Sequence, residues 1–137
     1  MPSSREFTIQ MADRLGTFAE ACRSLADRRV NILAFQSFPS EGKSLVRIVV
    51  DNPVNARTAL EAKGLDYSEA EVAQVKLPHR TGALADVASR LGEANINIRY
   101  GYCGLEPSNN APFVILGVAE VGKATKILDQ AVAAVGT

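Results

Sequence analysis

Asp13-Arg14-Leu15-Gly16-Thr17-Phe18-Ala19, followed by Leu25 and then Val30-Asn31-Ile32, returns 66 positions later as His79-Arg80-Thr81-Gly82-Ala83-Leu84-Ala85, Leu91 and Ile96-Asn97-Ile98. A fixed offset held across about twenty residues marks an internal duplication, which has to be recognised before any single motif is interpreted. With 137 residues in all, each copy spans about 66 residues, near the size at which a lone hydrophobic core is marginal. The expected division is residues 5–71 for the first repeat and 72–137 for the second.

Each copy predicts the secondary structure of the other. Phe7, Ile9 and Met11 alternate with Thr8 and Gln10, and Ala73, Val75 and Leu77 alternate with Gln74 and Lys76 at the same offset, the period of a half-buried strand. Phe18, Cys22, Leu25 and Ala26, and in the second copy Leu84, Val87, Ala88 and Leu91, fall at the spacing of an amphipathic helix. Thr17 and Glu20 have the form of a capping box. A second strand is expected from Val30 to about Phe38 and from Ile96 to Cys103, and a third from Leu45 to Val50 and from Phe113 to Val118. The loop between them is longer in the second copy, which moves the offset to 68. Asn52-Pro53 then reads as an N-cap with proline at the first helical position, and Ala56, Ala59 and Leu60 match Ala124, Ile127 and Leu128. Gly64 closes that helix and Tyr67–Glu71 supplies a fourth strand.

The order strand, helix, strand, strand, helix, strand predicts a ferredoxin-like α/β sandwich for each repeat, an antiparallel sheet with both helices on one face. The second copy is expected to lack its last strand, because the chain stops at Gly136-Thr137. That loss would leave the strand Ala73–Leu77 with an open edge, a template for pairing with another chain, and predicts a homodimer.

Composition narrows the function classes. Fifteen basic and fifteen acidic side chains cancel, and no Lys/Arg run marks a nucleic-acid or anionic-membrane partner. The N-terminus lacks a secretory signal and no window approaches a membrane span, so a cytoplasmic protein is expected. Cys22 and Cys103 fit apolar patterns and read as reduced core residues. The sequence holds no nucleophile elbow, no phosphate-binding glycine loop and no Cys/His spacing for zinc, so neither a cofactor nor a metal is expected.

Asp-Arg-x-Gly before a helix and then Val-Asn-Ile, within this βαββαβ frame, resembles the ACT domain, a small-molecule regulatory module of amino-acid metabolism. The second copy is the closer match, with His79 replacing the family's acidic residue and Thr81 its proline; Leu15 holds the proline position in the first. The resemblance implies a non-enzymatic, free-standing regulatory protein that binds an amino acid where two such domains meet, with a metabolic enzyme as a further partner. It carries over Asp13, Arg14, Leu15, Gly16 and Asn31 from the first copy and His79, Arg80, Thr81, Gly82 and Asn97 from the second as ligand-binding positions.

The residues themselves admit both a binding and a structural reading. Glycine between strand and helix lets the backbone approach a carboxylate at the helix N-terminus, or satisfies the backbone angles of the turn. The asparagines offer a donor and an acceptor to an amino acid, or cap the entry to a strand. Arg14 and Arg80 pair with a carboxylate or remain solvated. Two other functions stay open: an interaction module without a small ligand, and an acylphosphatase-like hydrolase built on an Arg and a nearby Asn.

Overall fold

This computed structural model describes the backbone of residues 3–135 and the side chains of residues 4–130. Gly136 and Thr137, where the second copy was expected to stop, lie outside the described residues. The chain is a mixed α/β protein that divides into two compact units. The first comprises residues 5–70; the second takes residues 71–135 together with residues 3–4.

In the first unit, β1 (Ser3–Ala12) leads through a turn to α1 (Thr17–Asp27), β2 (Ile32–Ser40), β3 (Lys43–Val50) and α2 (Pro53–Ala62). β3 lies between β1 and β2 and pairs antiparallel with both, Phe7 opposite Ile48 and Ile48 opposite Phe35. Alternation then places Phe7, Ile9, Met11, Val46, Ile48 and Val50 on one face, where they bury against Ala21 and Leu25 of α1 and Ala56, Ala59 and Leu60 of α2. Asn52 caps α2 by accepting from the Asn55 N–H at 3.0 Å, ahead of Pro53.

The second unit repeats the plan with α3 (Ala83–Glu93), β5 (Tyr100–Leu105), β6 (Pro112–Gly117) and α4 (Val121–Val135). β6 is its central strand, paired with β5 and with the end of β4 (Asp66–Val75), Ala73 opposite Leu116. Val75, Val87, Leu91, Leu116, Val118, Ala124 and Leu128 form its core.

Two expectations are corrected here. The fourth strand of the first copy and the first strand of the second are one strand, β4, whose first five residues fall in the first unit and last five in the second. The edge expected to stand open is also covered by this same chain. β4 lies between β6 and β1, and the Ser4 hydroxyl at the start of β1 donates to the Gln74 side chain. An unpaired edge at Ala73–Leu77 therefore gives no reason for dimerisation.

Both first helices end alike. The Val30 N–H bonds Leu25 O at 3.0 Å and the Ile96 N–H bonds Leu91 O at 2.9 Å, the long bond of a Schellman motif. Such an ending puts one residue at positive φ, here Arg29 at 58° and Asn95 at 61°. Asparagine tolerates that conformation, whereas the Arg29 Cβ strains it. Arg29→Gly is expected to raise the unfolding free energy by about 0.5–1 kcal/mol. Chemical denaturation with an unchanged or lowered midpoint would contradict this account of the turn.

Candidate functional site

The turn after the opening strand of each copy has the same backbone. Gly16 and Gly82 are left-handed, at φ 88° and 89°, and each is the N-cap of the following helix. The Arg14 and Arg80 N–H groups bond back to Ala12 O and Pro78 O, and the Glu20 and Asp86 N–H groups bond Gly16 O and Gly82 O. A Cβ at either glycine would meet no atom within 4 Å, so it is φ, not crowding, that requires glycine. The expected capping box does not form. Thr17 is already the first helical residue, and its hydroxyl donates backward to Ala12 O and Arg14 O.

A cavity opens beside each of these turns. The one in the first unit, about 250 Å³, is lined by Gln10, Met11, Ala12, Arg14, Thr17, Glu20 and Ala21, and across from them by Lys63, Gly64, Leu65 and Asp66. It thus lies between the start of α1 and the exit of α2, and holds side chains of both charges. The strand following that exit is tied to α2 by Arg57, whose Nε donates to Glu69 at 2.7 Å; this hydrogen bond holds the Glu69 carboxyl below its ordinary range. The cavity in the second unit, about 170 Å³, is lined by Leu77, Pro78, His79, Arg80, Ala83, Leu84, Cys103, Pro112, Phe113 and Val114. It is mostly apolar, and among the described residues no carboxylate lines it.

Of the positions singled out in the sequence, Arg14, His79 and Arg80 line these cavities, while Asp13, Leu15, Gly16, Thr81 and Gly82 complete the turns without lining them. Leu15 is 98% exposed. Asn31 and Asn97 stand elsewhere, past the far ends of α1 and α3, each an 11-residue helix that is roughly 16 Å long. The backbone of Asn31 is held by Asp51, whose carboxylate accepts from the Asn31 N–H at 2.9 Å. Within one unit, turn and asparagine do not meet.

Sequence reasoning overlooked the exit of α2 (Lys63 to Asp66) and Cys103. The first was within reach: in a βαββαβ order the chain leaving α2 returns to the end of the sheet where β1 turned into α1. Cys103 corrects an expectation, since it is exposed. Cys22, on α1, is half-buried, and burial raises its thiol pKa. Among the described residues, no three His, Cys, Asp or Glu side chains are grouped to hold a metal, and no helix is long and apolar enough to cross a membrane.

No family model and no curated protein matches the sequence. Solved structures do match the fold. A protein from Bacteroides thetaiotaomicron is similar at a TM-score of 0.82 and 23% identity, over 93% of this chain and 88% of that one. The ligand-free regulatory subunit of aspartate kinase from Thermus thermophilus is similar at 0.64 and 16%, over 95% and 92%. The aspartokinase III of E. coli, solved with lysine and aspartate, is similar at 0.56 and 12%, over all of this chain and 32% of that one. At these identities the likeness is one of fold: the mixed α/β architecture found in regulatory subunits of aspartate kinase.

Proposed function

We propose that this chain is a tandem ACT protein, two ferredoxin-like repeats that bind an amino acid and pass its presence to a partner enzyme without themselves catalysing a reaction. The observation that carries this reading is the pairing, in both units, of a glycine-dependent turn with a cavity lined by that turn's arginine. A duplicated turn kept only for its shape has no need of a cavity and a cation beside it. In the first unit the cations Arg14 and Lys63 and the carboxylates Glu20 and Asp66 all line the space. That charge set complements a zwitterion, whose carboxylate takes the cations and whose ammonium takes the carboxylates.

The distance between each turn and its asparagine adds a second element. For Asn31 or Asn97 to touch the same ligand as an Arg-x-Gly turn, it must come from another unit, and a second copy of the chain can supply it. This gives the homodimer a reason other than a sheet edge. Light scattering that finds only the 14.6 kDa chain at high micromolar concentration, with and without ligand, would remove a second copy's asparagines from the site.

A thermal-shift screen of the twenty amino acids tests the reading. A ligand at 100 times its dissociation constant is expected to stabilise by about 2.7 kcal/mol, several degrees for a protein of this size. Arg14→Ala should abolish the shift for the amino acid that binds the first unit. An unmoved melting curve with all twenty at millimolar concentration would leave the interaction module as the better reading.

A further inference from the structure

The two cavities differ in chemistry, and the difference follows the repeat position by position. Around the first, Thr17, Glu20, Lys63 and Asp66 supply polar groups of both signs. The counterparts of Thr17 and Glu20 at the offset of 66 are Ala83 and Asp86, so the first of these polar groups is lost. The second is diverted. Asp86 does not line the second cavity, and its carboxylate lies 3.8 Å from the Arg80 guanidinium. Arg80 is further held by an Nη1 bond to Thr81 O at 3.3 Å. A guanidinium has five N–H donors, so two such contacts leave others for a ligand.

We propose that the second unit's cavity selects a short, branched carboxylate that lacks an ammonium group, the chemistry of an apolar 2-oxo acid. The proposal rests on reading the Arg-x-Gly turns as ligand sites, and concerns which ligand the second of them takes. Leu77, Leu84, Pro112 and Phe113 give the cavity apolar walls, which suit a branched aliphatic chain. Arg80 is the cation that receives the carboxylate. An ammonium placed in the same cavity meets a like charge in Arg80 and, among the described lining residues, no carboxylate, so a zwitterion loses hydration there without a compensating ion pair. The volume of about 170 Å³ slightly exceeds a cavity that encloses a six-membered aromatic ring, and an open mouth accommodates the head group. The two units would then report on a polar amino acid and on a nitrogen-free carboxylate, the two sides of a transamination.

Titrating the whole ¹⁵N-labelled chain with valine and with 3-methyl-2-oxobutanoate tests this, because the two ligands have nearly the same shape and differ at the ammonium. The oxo acid is expected to move the amides of residues 79–84 and to bind there at least about tenfold more tightly than valine, the ratio set by one uncompensated charge contact. Leu84→Ser, at an exposed position, should weaken the oxo acid several-fold, and Arg80→Gln should remove its binding. Valine binding at residues 79–84 as tightly as the oxo acid would overturn the selection and leave the amino-acid reading standing. The same holds if neither ligand moves those amides while an amino acid moves those of residues 14–20. If no amino acid or oxo acid moves either set, both readings fall.

Discussion

Replacing Arg47 by methionine is expected to destabilise the protein by about 3–5 kcal/mol, the usual cost of removing one member of a buried ion pair. The other member is Glu6 on β1, 1% exposed and the buried charged residue of the described chain. In the strand register Arg47 on β3 stands opposite Thr8, one step along the same face from Glu6, and its Nε lies 3.9 Å from the Glu6 carboxylate. The guanidinium sits over the Phe38 ring at 5.1 Å and donates to Gln36 Oε1 at 3.3 Å. Arg47 thereby links β1, β3 and β2 on the face turned away from the helices. If the cost arises from the charge of Glu6, Glu6→Leu combined with Arg47→Met should recover most of it, since a buried pair replaced by apolar residues of similar volume is often neutral. Urea denaturation of the two single variants and the double variant checks this. A double variant as unstable as Arg47→Met alone would show that the loss came from the arginine's packing on Phe38 and not from the charge of Glu6.

Glu6 also marks where reading the sequence stops. Phe7, Ile9 and Met11 were legible as the buried face of a strand because they alternate, but the same alternation assigns Glu6 to the open face of a one-sided sheet. Periodicity reports one buried face; it holds no signal for burial on the other. The turns at Gly16 and Gly82 were legible because two copies agreed and because few residues other than glycine adopt their φ. β4 was not, because Tyr67–Glu71 and Ala73–Leu77 each carry a strand pattern and no turn residue separates them. The absence of Gly, Pro or Asn between them was itself the sign of one strand. At the site, Arg14 and Arg80 could be found from their motif. The exit of α2 could be found only by following the topology round to the same end of the sheet. Cys103 misled because it follows Tyr102 in a pattern that suits either face of a strand.

Phe7→Ala is expected to cost about 3–5 kcal/mol, although the second copy carries alanine at the matching position. The Phe7 ring is 0% exposed, packs on Tyr67 at 5.8 Å between ring centroids and lies beneath the Arg57 guanidinium at 6.0 Å. Its counterpart Ala73 is also 0% exposed, so the space is filled by other atoms. Where the first core has Ala21 and Ala59, the second has Val87, which is buried, and Ile127, which is half-buried against it. Each unit thus reaches interior density with a different distribution of volume, and the packing of one does not transfer singly to the other. Adding Ala59→Ile to Phe7→Ala should therefore restore part of the loss. Ala73→Phe should destabilise, because Val87 and Ile127 already occupy the room an aromatic ring needs. Equilibrium unfolding decides the matter: tolerance of Ala73→Phe, or no recovery in the double variant, would mean that the two cores did not diverge by exchanging volume between strand and helix.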